Sequence, residues 1–182
     1  MIIHYITPFS PDKNIGKEYN ARIAELPEDC YICLRDGDSM FLTPDWGKQI
    51  EEIIKANPQF AVIGCVTNRL RGGAQVIEGM FDESDISVHM QTATKLQETK
   101  RTEVIGAMGV AGLCMIFHKS VWNKVKFQER TIKFDSMFCS NVAGLGMRIG
   151  IATGLYLFHL YRFGKDDPKN YTKHLQMVYS AA

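Results

Sequence analysis

Two aspartates separated by one glycine, Asp36-Gly37-Asp38, follow directly on the apolar run Tyr31-Ile32-Cys33-Leu34. Carboxylates at i and i+2 on a turn can share one hard divalent cation, Mg²⁺ or Mn²⁺, and leave its remaining positions to water or phosphate oxygens. Gly37 would let the backbone turn sharply and a ligand approach closely. The same three residues could close a plain hairpin, where Asp-Gly turns are common. The continuation separates the two readings. Thr43-Pro44-Asp45-Trp46 is a helix-start signature, a capping hydroxyl followed by proline. A chain that runs from strand through turn into helix is not a hairpin, so the pattern expects a metal-binding turn.

Other residue types could also do chemistry. Asp135 could cap the helix that follows it. His159 ends an apolar run and needs a polar partner. Arg69 and Arg71 lie in a glycine-containing loop, where guanidinium groups suit oxyanions. Asp85 and His89, four residues apart on an expected helix, read as a surface pair. Cys30 and Cys33 form a C-x-x-C, but on a strand their side chains face opposite ways, which argues against a redox or zinc pair.

The elements that would position these groups alternate. Ile2–Ile6 reads as a strand, 14–26 as a helix with Ile15, Tyr19, Ile23 and Leu26 on one side, and Tyr31–Leu34 as a strand. A helix to Ala56 and a strand over 60–66 follow, giving strand, helix, strand, helix, strand. That order implies an α/β domain with a mostly parallel central sheet flanked by helices, whose ligands collect beyond the carboxyl ends of the strands. Residues 67–82 read as a long loop, 85–100 as a helix, and the glycine-rich stretch 106–112 as the lead into a strand over 113–117. Short helices over 120–125 and 135–145, a strand over 149–158 and a last helix over 167–180 complete the pattern.

Bulk properties exclude some classes. The 182 residues, 46% hydrophobic and 23% charged, suit one compact domain. A net charge of +1 advertises no nucleic-acid surface. No run reaches the ~18 apolar residues of a membrane span, and the first residues lack the features of a signal peptide. With five cysteines in no regular framework, reduced thiols and a cytoplasmic location are expected. The nine methionines read as core filling.

The stretch from Ile32 to Trp46 resembles the Asp-x-Asp region of GT-A glycosyltransferases, particularly family 2, and the likeness extends in order over residues 2 to 162. Segments 14–20, 109–122, 127–129, 134–136, 146–150 and 157–162 resemble, in turn, the family's first helix, glycine-rich segment and strand, "GGFDE"-like region, acidic motif and closing strand with its histidine. The usual Glu-Asp pair is Phe134-Asp135 here.

The resemblance implies a single GT-A, Rossmann-like domain with a nucleotide-binding part over 1–66, an acceptor part over 67–165 and a C-terminal helix. It implies a metal-dependent, inverting enzyme that moves a sugar from a nucleotide-diphosphate sugar to a glycan or other hydroxyl acceptor. By the same analogy Asp36, Asp38 and His159 hold Mn²⁺ or Mg²⁺, and Asp135 is the base that takes the acceptor's proton, with Glu129 as the fallback. Thr7, Pro8, Phe9, Lys17, Asn20, Asp36, Gly37 and Arg69 bind the donor. Two alternatives stand beside it: a domain that binds a nucleotide sugar without transferring it, and a sugar nucleotidyltransferase. The latter would want a glycine- and arginine-rich loop after the first strand, which Pro8–Lys13 does not provide.

Overall fold

The structure, a computed structural model, describes residues 1–71 and 73–160. The helix expected over 167–180 lies outside the described residues. The chain orders strand β1 (Ile3–Ile6), helix α1 (Ile15–Ala24), β2 (Tyr31–Arg35), β3 (Ser39–Phe41), α2 (Trp46–Ala56) and β4 (Phe60–Thr67). A short 3₁₀ turn (Gly73–Gln75), α3 (Ile86–Lys100), β5 (Val104–Ala107), β6 (Cys114–His118), α4 (Lys119–Lys124), α5 (Phe134–Gly144) and β7 (Arg148–His159) complete it.

The expected mostly parallel, Rossmann-like sheet is not what forms. The seven strands make a mixed sheet, in the order β1-β2-β6-β4-β7-β3 with β5 also on β7, and it curls into a half-barrel. Among the strands of the described residues, β1–β2 and β4–β7 pair in parallel. β6 enters antiparallel between β2 and β4, and β3 and β5 pair antiparallel with β7. Hydrophobic periodicity reports which face a strand buries; it carries no record of which strand lies beside it. Two strands were also too short or too glycine-interrupted to register: Ser39-Met40-Phe41 and Val104-Ile105-Gly106-Ala107.

One consequence of the expected sheet nevertheless survives. Because β6 is antiparallel to both β2 and β4, those two strands run the same way, and β1 and β7 run with them. The carboxyl ends of β1, β2, β4 and β7 therefore emerge along one edge.

Both sheet faces are covered. One carries Tyr19 and Ile23 of α1, Ile32 and Leu34 of β2, Trp122 of α4 and Phe138 of α5. The other packs Ile50, Ile53 and Ile54 of α2 against Cys33, Ile63, Cys65, Cys114 and Leu157. Cys30 and Cys33 fall in opposite clusters, as strand alternation requires, and the five cysteines are buried free thiols.

β7 is the strand that organises the sheet. Its register against β4 jumps between Cys65↔Ala152 and Val66↔Tyr156, so residues 153–155 bulge. Before the bulge its outer edge pairs with β5; beyond it that edge pairs with β3. At the bulge Gly154 backs onto the end of α3, where a Cβ would lie 2.1 Å from the Lys100 carbonyl oxygen. Gln49 ties the region together by donating to the Gly154 and Arg101 carbonyls while its own carbonyl accepts from Gln97.

Candidate metal and substrate site

The turn after β2 is built by backbone hydrogen bonds. Asp36 N donates to the Leu113 carbonyl at 3.1 Å, and Ser39 Oγ donates to the Asp36 carbonyl at 2.7 Å. The chain then continues as a strand, not directly as a helix, which corrects the local reading. It is still no hairpin with β2, because β3 crosses to the far side of the sheet and pairs with β7. Gly37 is not in the left-handed region, and a Cβ there would meet only Thr7 Cγ2, at 3.5 Å. The glycine leaves room beside Thr7; the backbone does not demand it.

The β3–β7 pairing brings the two ends of the site together. Ser39 faces His159 in the ladder, and Leu160 N donates to the Asp38 carbonyl at 2.9 Å. Asn68, at the end of β4, completes the frame: its Oδ1 accepts from His159 N at 2.8 Å and its Nδ2 donates to the His159 carbonyl at 3.2 Å. This buried amide extends the β4–β7 ladder by one step past Thr67↔Leu157. The sequence reading did not single out Asn68; its signal was a polar Thr-Asn pair at the end of a strand run with no other polar residue.

His159 is almost fully buried, and its Nδ1 lies 2.8 Å from the Arg69 carbonyl oxygen. A carbonyl can only accept, so Nδ1 carries the hydrogen. In the neutral ring Nε2 then has a lone pair, and it faces Asp38 Oδ1 at 3.3 Å. A lone pair and a carboxylate oxygen repel each other unless a proton or a cation lies between them. Fixing one ring nitrogen on a carbonyl while the other faces outward is how proteins orient a metal-binding imidazole.

Asp36 completes the set, with ligand atoms of Asp36, Asp38 and His159 all within 4.8 Å of one another. Ligands on opposite sides of a cation with bonds near 2.1 Å lie about 4.2 Å apart. A small inward movement therefore suffices, and two carboxylate oxygens with one imidazole suit Mn²⁺ or Mg²⁺. The residues fit the group.

Electrostatics differ between the two aspartates. Where a proton lies between His159 Nε2 and Asp38, that hydrogen bond holds the Asp38 carboxyl below its ordinary range, against some opposition from burial. Burial pushes the Asp36 carboxyl up to about 6; the His159 charge opposes this, and the Asp38 and Asp135 carboxylates add to it. Two carboxyls one residue apart thus hold their protons very differently.

Asp36 and His159 open into a cavity of about 860 Å³ whose lining also includes Asp135, Arg71 and residues 109–112. Asp135 stands in the first turn of α5, where Oδ2 accepts from Gly112 N at 2.8 Å and Oδ1 from Ser136 N at 2.7 Å. Gly112 gives room for this approach, since a Cβ there would lie 2.7 Å from the tip of the Phe134 ring, which would have to move aside. Gln75 supports the same loop, accepting from Ala111 N at 2.8 Å and donating to the Cys65 carbonyl at 2.7 Å.

The other expected donor residues scatter. Thr7, Pro8 and Phe9 line a separate cavity of about 240 Å³ with Tyr19 and Arg22. Lys17 extends toward Asp12, 4.0 Å away on the surface. Asn20 joins α1 to the segment after α4: Oδ1 accepts from Trp122 Nε1 and Phe127 N, and Nδ2 donates to the Phe127 carbonyl. Arg69 turns to Phe81 and Asp82, with Nε 2.6 Å from the Phe81 carbonyl, while Leu70 and Arg71 line the main cavity. Glu129 Oε1 lies 3.4 Å from Asn20 Nδ2 and does not line that cavity. The expected surface pair Asp85–His89 is also corrected. Asp85 caps α3 through Ser87 N, whereas His89 is buried with Nδ1 2.7 Å from the Tyr156 hydroxyl.

No protein-family model matches the chain, and no curated protein sequence matches it. Among the described residues no helix is long and apolar enough to cross a membrane.

Proposed function

We propose that the chain is a metal-dependent glycosyltransferase that takes its sugar from a nucleotide-diphosphate donor. The observation that carries this is the Asp36–Asp38–His159 cluster, with Nε2 of a buried histidine aimed at a carboxylate, opening into a cavity with Asp135. The likeness of the Ile32–Trp46 stretch to family 2 glycosyltransferases supports the same reading.

Asp36, Asp38 and His159 would hold Mn²⁺ or Mg²⁺, which when bound neutralises the diphosphate that leaves with the nucleotide. Arg71 at the cavity wall adds a fork suited to phosphate oxygens. Asp135 keeps its orientation through two backbone N–H bonds and retains lone pairs for an acceptor hydroxyl, whose proton it takes as the oxygen attacks the anomeric carbon. The apolar walls limit water, which would otherwise compete as acceptor.

Those two N–H bonds also favour a second reading, in which Asp135 ties the start of α5 to the Gly112 loop and is no base. In that reading the domain binds the nucleotide sugar without transferring it.

Isothermal titration of the chain with UDP-, GDP- and CDP-sugars, with and without Mn²⁺, tests the proposal. At least one donor should bind in a metal-dependent way, and Asp38→Ala should abolish that dependence. Failure of every donor to bind with Mn²⁺ present, or intact binding in Asp38→Ala, rejects it. Turnover by the wild type that Asp135→Asn lowers ~100-fold or more excludes the binding-only reading.

A further inference from the structure

The main cavity is lined by groups of two kinds. Asp36, Asp135, His159 and Arg71 share it with the apolar side chains of Met108, Val110, Ile132, Phe134 and Ala143. Asp135, Cys139 and Ala143 recur at fours along α5, so they share one helix face and lead away from the base. Eight residues separate Asp135 from Ala143, about 12 Å at 1.5 Å per residue.

This apolar lining offers little to a polyhydroxylated ligand. The Gln75 amide already accepts from Ala111 N and donates to the Cys65 carbonyl. Ser136 Oγ donates to the Lys133 carbonyl, which leaves Ser140 as the other side-chain hydroxyl along the helix. A sugar laid against it would lose water from several hydroxyls with few partners to replace it, at about 1–3 kcal/mol for each hydroxyl left unsatisfied. An apolar body suffers no such loss and gains by covering Met108, which stands almost wholly exposed at the cavity.

Resting on the transferase reading above, we infer that the acceptor is an aryl or alkyl alcohol, its hydroxyl at Asp135 and its apolar body along the α5–Met108 wall. The selectivity is for an apolar body up to about 12 Å long, set by that stretch of α5. Transfer forms the bond from the alcohol oxygen to the anomeric carbon and breaks the bond from that carbon to the diphosphate. The hydroxyl proton goes to Asp135, and the nucleoside diphosphate leaves with the bonding pair.

NMR titration of the full chain with 2-naphthol, hexyl β-D-glucoside and cellobiose tests this without any donor. The two apolar probes should bind at least tenfold more tightly than cellobiose. Ala143→Glu, on an exposed helix position that glutamate suits, and Met108→Glu should each weaken 2-naphthol at least fivefold. Cellobiose binding as tightly as either probe, or 2-naphthol affinity unmoved by both substitutions, overturns the inference. Titration of the same samples with Mn²⁺ reports on the metal cluster separately. Normal Mn²⁺ binding beside failed probe binding therefore rejects the acceptor class and leaves the transferase reading standing.

Discussion

A carboxylate near a metal is useful only when it has lost its proton, and Asp36 holds its proton unusually well. Its carboxyl, ordinarily at 3.8, titrates at about 6 because it is buried, with Asp38 and Asp135 adding to the rise against His159. Mn²⁺ affinity should therefore fall about tenfold for each pH unit below 6 and level off above it, as the proton and the cation compete for one oxygen. Titrations from pH 4.5 to 8 would show this; a flat profile would mean that Asp36 is no ligand. The stability effect has the opposite sense. A group whose folded value is raised favours folding below its unfolded value and loses that contribution as pH rises through 6. Asp36→Asn should accordingly stabilise the metal-free chain at pH 8 by on the order of 2 kcal/mol while abolishing Mn²⁺ binding. Thermal melts at pH 4 and pH 8 separate the effects, because the gain should vanish at the lower pH.

At the scale of elements, the site depends on where strands end. Asn68 bonds both backbone groups of His159, so Asn68→Ala leaves a buried N–H and a carbonyl without that partner. A loss of about 1–3 kcal/mol is expected in urea unfolding, together with weaker Mn²⁺ binding, although Asn68 is not one of the clustered donors. Glycines give a contrasting pair. Gly37→Ala should cost less than about 1 kcal/mol, since its Cβ meets only a methyl at ordinary distance. Gly154→Ala should cost about 3 kcal/mol or more, because its Cβ would strike the backbone oxygen of Lys100. Equal costs for the two would show that the bulge of β7 can relax away from α3.

The same scale shows what sequence patterns record. Of the four residues whose spacing sets them on one side of α1, Tyr19 and Ile23 are buried, while Ile15 and Leu26 are partly buried against the same core. The start of α2 was misplaced for a reason local sequence does not contain. Thr43, which reads as its cap, accepts from Gln97 of α3, and the helix begins at Trp46. Asp45, at the cap position, makes no capping bond; its carboxylate pairs with Arg101 at 2.8 Å. Partners more than fifty residues away outweighed local capping. His89 is the parallel case, a presumed surface residue buried through its bond to Tyr156.

For the whole molecule, the cation and the fold should reinforce each other. Asp36 and Asp38 follow β2, whereas His159 ends β7, so a bound cation joins segments over 120 residues apart. Mn²⁺ at 100 times its dissociation constant should add about 2.7 kcal/mol to stability. Differential scanning calorimetry should show a rise of several degrees that Asp38→Ala removes; an equal rise in that variant would place the ion elsewhere.

The chain sequence alone was enough to show most helices and strands, their buried faces and the acidic turn at the end of β2, because each of these is written in spacings of a few residues. Only the tertiary structure decided that the sheet is mixed, that β3 crosses to β7, and that His159, Asn68 and Asp38 meet. Strand pairing is a contest among distant edges, settled by packing over the whole sheet. The two aspartates could be picked out in advance as candidates for a cation, while the buried imaginable partners for them could be chosen only by the fold.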